Sequence, residues 1–335
     1  MIATTNGTPV SITGLGWQVP ERVVTNDDLS KLVDTSDEWI RERTGIRERR
    51  FAREDEALSD IALPAARQAL ERAGIAPRDV ELLIVATVTP DMVFPSTAAI
   101  LADRLGATEA AAYDLSAGCT GFMYAIAQAT GMIGAGLSRN ALVVGADVLS
   151  KIVDMTDRST CVLFGDGAGA AVIEPSSAEG FIGFELGADG AGGVDLNLPA
   201  GGSRLPSSAE TVAGGLHYVQ MNGRQVFKFA TRVLVSSAQA LLDEAGLAIE
   251  DVDVYVPHQA NVRIIDHAVA KLGIPKEKVV VNVDRYGNTS SASIPLALAE
   301  AVADGRVREG DTVLMTGMGA GLTWGSALLR WTEAS

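Results

Sequence analysis

The chain holds only two cysteines and three histidines, so few groups could act as a nucleophile or carry a proton near neutral pH. Cys119 lies in Asp114–Gly121 (DLSAGCTG), at an expected strand-to-helix turn. The positive end of a helix there would stabilise a thiolate and lower the thiol's pKa. Ala117, Gly118 and Gly121 leave room for a tight turn and a substrate. Cys161, in CVLFGDGAG, reads as a mid-strand core residue. His258 falls in Val256–Asn261 (VPHQAN), directly after the apolar strand Val252–Val256. The carboxyl end of a strand in an α/β sheet is where ligands and catalytic groups collect. His267, nine residues on along an expected helix, and His217, in a Gly-rich stretch, carry no partner signal. Asn288 stands in Arg285–Ser293 (RYGNTSSAS). A thiol, an imidazole and a side-chain amide together can carry an acyl group and stabilise charge on a thioester oxygen.

The elements that must position these three residues repeat. Residues 69–87 (ALERAGIAPRDVELLIVAT) and 241–256 (LLDEAGLAIEDVDVYV) share a helix, an Ala-Gly break, an acidic turn and a strand, with Ala73 and Ala245 172 residues apart (245 − 73). The strands Ala141–Gly145 and Thr312–Gly317 recur at nearly the same interval, and Cys119 and Asn288 are separated by 169 (288 − 119). Leu115–Ser138 and Tyr286–Ala299 contain no charged residue, and a helix without a charged face must be buried all round. Each half therefore carries one central buried helix, and the symmetry puts Cys119 and Asn288 at the tips of two neighbours. Residues 58–73 read as a helix closed by Gly74. Strands alternating with helices indicate an α/β fold with a largely parallel sheet. The halves are expected at 1–178, with the cysteine, and 179–335, with the histidine and asparagine.

Bulk properties exclude several classes. The net charge of -15 argues against a general nucleic-acid binder. Two cysteines without a CxxC do not make a disulfide framework, and a reducing cytoplasmic compartment is expected. The N-terminus has no signal-peptide pattern, and no run of 18 apolar residues suggests a membrane span. No HExxH or spaced His/Cys set points to a metal. Gly165–Ala170 (GDGAGA) matches a dinucleotide fingerprint in letters, but the strand-like Ala171–Glu174 that follows makes a hairpin turn the better reading. Gly317–Gly321 (GMGAG) lacks the Lys-Ser/Thr of a P-loop; its amides could serve an oxyanion hole. Arg41–Arg53 holds six arginines, with Trp39 just before it, a surface suited to an adenine ring and phosphates.

Seven motifs in order resemble the β-ketoacyl-acyl carrier protein synthase III family of thiolase-fold condensing enzymes: DTSDEWI (34–40), RTGIRERR (43–50), DLSAGCTGF (114–122), FGDGAGAAV (164–172), VPHQAN (256–261), YGNTSSAS (286–293) and GLTWGSAL (321–328). The resemblance implies a five-layered αβαβα thiolase-like fold of two similar halves. It implies a Cys119–His258–Asn288 triad, with the Cys119 and Ala320 amides as oxyanion hole. Trp39 and Arg158 would flank the adenine of coenzyme A, and Thr35, Arg43, Gly223, Phe227 and Asn261 would line its tunnel. Phe94, Phe164 and Met221 would shape the acyl pocket. Gln259, Ala260, Asn261, Val262 and Arg263 would face an acyl carrier protein. The implied reaction condenses an acyl-coenzyme A primer with malonyl-acyl carrier protein to start fatty acid elongation, in a homodimer and with no cofactor beyond those thioester substrates. Ala320 departs from the Gly-Gly-Gly of many members; an amide donor survives that change where φ is negative. A relative in secondary metabolism, making polyketide starters, alkylquinolones or esters, would use the same triad. A cysteine hydrolase would have no use for Asn288 or for the repeat.

Overall fold

The uncharged, β-branched runs become strands buried on both faces, as a sheet covered on two sides requires. The computed structural model describes residues 1–4 and 7–332. The strands that matter for the site are β1 (Ile2–Thr4), β2 (Val10–Gln18), β3 (Leu82–Ala86), β4 (Ala111–Leu115), β5 (Ala141–Val148), β6 (Asp166–Pro175), β7 (Phe181–Ala188), β8 (Val254–Pro257), β9 (Thr312–Gly319) and β10 (Thr323–Arg330). One sheet runs β2-β6-β5-β3-β4 and the other β1-β7-β10-β9-β8. In the first, β3 is parallel to β4 and β5, and β6 is antiparallel to β5 and β2. The second repeats this: β8 is parallel to β9, and β10 is antiparallel to β9 and β7. A parallel bridge from Tyr255 to Val279 stands where a counterpart of β4 would pair. The internal repeat is thus a repeat of topology.

Six helices frame the site: α1 (Asp37–Thr44), α2 (Leu58–Ala73), α3 (Gly121–Gly134), α4 (Gly223–Ala245), α5 (Val262–Leu272) and α6 (Ser293–Ala303). Helix α2 ends on Gly74 in the left-handed region, as its sequence requires, and packs outside the first sheet. Helices α3 and α6, the two uncharged stretches, lie between the sheets, and α4 and α5 cover the outside of the second. The result is the expected five-layered αβαβα fold.

Three expectations need correction. Ile2–Thr4 does not belong to the first half's sheet; it pairs antiparallel with β7 and extends the second. Cys161 is not in a strand but closes a one-turn helix, Arg158–Cys161, nucleated by the Asp157 carboxylate accepting from Ser159 N. Its side chain is buried. The GDGAGA run is not a hairpin turn, because all but its first glycine lies inside the ten-residue strand β6. Glycine is needed there for close approach: a Cβ on Gly169 would sit 2.7 Å from the Leu296 amide nitrogen, so its absence lets α6 lie directly on the strand.

Candidate active site

Strand β4 delivers the chain to a 3-10 turn, Gly118–Thr120, from which α3 starts. Cys119 is the middle residue of that turn. The turn is pressed against the β9–β10 hairpin so closely that a Cβ on Gly319 would fall 2.4 Å from Cys119 N. Gly118 has φ +57°, and a Cβ there would meet the Ala320 backbone at 2.6–2.8 Å. Thr323 fastens the contact, its hydroxyl lying 2.8 Å from Ala117 O and 3.0 Å from Ala320 O and bonded to that of Thr120. The amides of Cys119 and Ala320 both act on the sulfur, favouring its charged form. Ala320 is not among the residues with positive φ, so alanine is tolerated there.

The sequence suggested a lowered pKa for this thiol, and the structure sets burial against that. Burial pushes it up, to about 11, against the smaller opposing influence of the Ser290 hydroxyl and the two amides, with the Asp147 carboxylate raising it further. Desolvation penalises the charged thiolate relative to the neutral thiol.

His258 ends the chain's run along β8, its amide bonded to Thr316 O at 2.8 Å and its side chain buried. Nδ1 lies 2.5 Å from Ser293 Oγ, on the first residue of α6. Nε2 is buried with no partner. Burial lowers its pKa to about 4, so the imidazole is neutral at physiological pH. Asn288 is held by its backbone: its N–H donates to Leu163 O (2.8 Å) and its carbonyl accepts from Gly165 N (3.0 Å). Asn288 Oδ1 accepts from Ser290 N at 2.9 Å, which presents Nδ2 as the donor. The following turn is anchored by Asp147, a fully buried carboxylate on β5 that accepts from Ser291 N and Oγ with one oxygen and from Thr87, Val88 and Thr89 with the other.

Cys119, His258 and Asn288 line one cavity of about 180 Å3, together with Phe164, Met221, Gly223, Phe227 and Asn261. A second cavity of about 170 Å3 continues from Cys119 and Phe164, walled by Val88, Leu149, Ile152, Leu198 and Val219, with Ser290 and Ala320 at its polar end. Cys119 stands between a mixed entrance and an apolar chamber. Three larger grooves, of about 600, 500 and 240 Å3, lie elsewhere and contain neither a cysteine nor a histidine.

Asn261 links the entrance to the surface, its Nδ2 donating to Arg43 O at 3.1 Å while Oδ1 accepts from Arg263 N and caps α5. Outside it, the guanidinium carbons of Arg43 and Arg158 lie 4.7 and 4.9 Å from the Trp39 ring centroid. Thr35, one turn before, has a buried hydroxyl with no partner. His217 bonds Thr211 and His267 is exposed, both away from the cavity.

The remaining expected site residues separate. Phe164 lines both cavities, but Met221 lines only the entrance. Phe94 lines neither, and 83% of it is exposed because it sits at the tip of a loop. Gln259 cannot face a partner: it is buried, Nε2 donates to Pro257 O and Val280 O, and Oε1 accepts from Asn282 N and Val283 N. Ala260 is buried too. Val262 is half-buried, and of the QANVR stretch Arg263 alone is well exposed. Ser290, Ser293 and Asp147 went unnoticed in the sequence. The signal was available in SSAS, hydroxyls inside an uncharged buried stretch, since buried hydroxyls need partners.

Known proteins carry the same architecture. The family model for 3-oxoacyl-[acyl-carrier-protein (ACP)] synthase III matches residues 113–190, and that for its C-terminal part matches 242–331. The β-ketoacyl-[acyl-carrier-protein] synthase III of Symbiobacterium thermophilum is 60% identical over 96% of this chain and 98% of its own length. The chain belongs to the β-ketoacyl-[acyl-carrier-protein] synthase III family. It is a thiolase-fold condensing acyltransferase. The crystal structure of the Thermus thermophilus β-ketoacyl-[acyl carrier protein] synthase III aligns with TM-score 0.90 at 52% identity, covering 97% of this chain and all of that one. The Aquifex aeolicus structure aligns with TM-score 0.89 at 47% identity, covering 96% of this chain and all of that one.

Proposed function

We propose that the chain condenses an acyl-coenzyme A primer with malonyl-acyl carrier protein to give β-ketoacyl-acyl carrier protein, the first elongation of fatty acid synthesis. The observation that carries this reading is the meeting of Cys119, an unpartnered His258 Nε2 and Asn288 in one cavity. A hydrolase needs a base and a water; here a buried imidazole and an amide share a cavity with the thiol, and this reading takes both as neutral donors.

In the first half-reaction the Cys119 sulfur attacks the primer's thioester carbonyl, the amides of Cys119 and Ala320 hold the oxyanion, and coenzyme A leaves as its thiol with the proton that Cys119 gave up. Trp39 and Arg158 take the adenine, with Thr35, Arg43, Gly223, Phe227 and Asn261 along the arm. The acyl chain enters the apolar chamber at Phe164. In the second, His258 Nε2–H and Asn288 Nδ2–H donate to the malonyl thioester oxygen. Carbon dioxide leaves, and the enolate so stabilised attacks acyl-Cys119. The product keeps the carrier thioester, and the thiol is regenerated with one proton from solvent.

The carrier protein docks by Arg263 and the basic face of α4. The molecule works in the cytoplasm as a homodimer. Met92, Val93 and Phe94, an apolar loop 49%, 87% and 83% exposed in the single chain, give a second copy something to cover. Among the described residues no helix is long and apolar enough to cross a membrane.

The test is reconstitution: labelled acyl-coenzyme A, malonyl-carrier protein and the purified chain should give β-ketoacyl-carrier protein. Release of free fatty acid without condensation would sink the reading.

A further inference from the structure

Ser290 is the only described residue other than glycine with a positive φ, +53°. Left-handed backbone is unfavourable for a residue with a Cβ, and where it persists the surroundings impose it. Here they do so from both sides: Ser290 N is tied to Asn288 Oδ1, and Ser291 N and Oγ are tied to Asp147. None of those ties uses the Ser290 side chain, so any small residue at position 290 would satisfy them. Its hydroxyl is a separate matter. The residue is 1% exposed, its Oγ is buried without a hydrogen-bond partner, and it lines the chamber that holds Cys119 and Ala320. A buried hydroxyl left unpaired in a well-formed turn calls for an acceptor that appears at another stage. The neighbour that can become one is the Cys119 sulfur, a weak acceptor as a thiol and a strong one as a thiolate.

We propose that Ser290 is a catalytic residue whose hydroxyl donates a hydrogen bond to the Cys119 sulfur as the thiolate forms and again as it departs from the acyl intermediate. The hydrogen stays on the serine oxygen throughout. The thiol proton leaves with coenzyme A, so that acyl-coenzyme A and thiol become acyl-Cys119 and coenzyme A thiol. An interaction much stronger with the charged sulfur than with the thiol lowers barriers more than it stabilises the resting state. It suits a site where burial holds the thiol protonated and where Ser290 is the leading influence in the other direction.

This rests on Cys119 being the nucleophile, and a substrate-free measurement separates the two ideas. Alkylation of the full chain by iodoacetamide, read at the Cys119 peptide by mass spectrometry from pH 7 to 9, should be about tenfold slower at each pH in both Ser290→Ala and Ser290→Gly. Both variants keep the amide that holds Asn288, and Gly removes the strain. Acylation from labelled acyl-coenzyme A should slow in parallel, while decarboxylation of malonyl-carrier protein stays at the wild-type rate. Three outcomes would overturn the proposal: alkylation unchanged or faster in both variants, slowing in Ala but not in Gly, or equal loss of acylation and decarboxylation. A wild-type chain that alkylates as described but does not condense would instead count against the proposed function.

Discussion

His258 Nδ1 and Ser293 Oγ are 2.5 Å apart, joining the end of β8 to the first residue of the buried helix α6. The pair decides what the imidazole can do. A neutral ring carries one proton, and a serine hydroxyl donating to Nδ1 places that proton on Nε2, which faces the cavity. In that tautomer Nε2–H is free to donate beside Asn288. Ser293→Ala should lower decarboxylation and condensation by roughly five- to tenfold, the worth of one hydrogen bond, and leave acylation near normal. Ser293→Thr should restore most of the loss. Equal damage to both half-reactions would mean that Ser293 only supports the helix.

The charge states of the pair have a defined pH signature. The pKa of His258 falls from 6.5 to about 4 on folding. The unfolded chain therefore binds more protons between those values, and stability contributed by the neutral buried ring is present above pH 6.5 and lost as pH falls toward 4. Thermal melts of the wild type should show this acid-side loss, and His258→Gln should show less of it. Asp166, raised to about 6 by burial, acts in the opposite sense, favouring the folded state below about pH 4 and ceasing to do so as pH rises through 6. Its Asn variant should therefore steepen the acid-side loss. An acid limb identical in the His258 variant and wild type would contradict a buried neutral imidazole.

The repeat, the two central helices and the gathering of Cys119, His258 and Asn288 around one cavity were legible because each left a one-dimensional trace: a spacing, an absence of charge, a rare residue type. What was not legible depends on depth. Nothing in DLSAGCTG says that burial raises the pKa of Cys119, and nothing in QANVR says that Gln259 points inward to hold Asn282 and Val283. Ser290 and Ser293 look alike in SSAS. Only the turn clamped by Asp147 sends one to the sulfur's chamber and the other to His258. Phe94 was assigned by analogy to a pocket that, in a single chain, it does not touch.

Trp39 holds two guanidinium groups against its ring in the free chain. An adenine stacking there must displace at least one, and gains an aromatic face in exchange. Stacking of a base on an aromatic ring is worth about 1–3 kcal/mol. Trp39→Ala should accordingly raise KM for acyl-coenzyme A by roughly tenfold with little change in kcat. It should leave the rate with a short acyl-pantetheine thioester unchanged, since that substrate lacks the adenine. A comparable loss with the truncated substrate would place the nucleotide elsewhere.

Arg263 and Gln259 lie four residues apart and should fail in different ways. Arg263 is exposed, with its guanidinium 5.7 Å from the Phe227 ring at the entrance. Arg224, Lys228 and Arg232 are exposed at four-residue steps along α4 beside it, so that one helix face carries three cations. In a chain of net charge -15 such a rim would steer an acidic partner that the whole molecule otherwise repels, mainly through the association rate. Arg263→Glu should raise KM for malonyl-carrier protein, flatten its dependence on salt, and spare acylation by acyl-coenzyme A. Thermal stability should be unaltered. Gln259→Ala should do the reverse. It strands the Asn282 and Val283 amides and the Pro257 and Val280 carbonyls in the interior, and each buried group left unpaired costs about 1–3 kcal/mol. The melt should fall by several degrees and both half-reactions should decline together as His258, next in the chain, loses its support. If Gln259→Ala instead kept its melting temperature and raised only the carrier-protein KM, the residue would be a docking contact after all, and the inward orientation would be wrong.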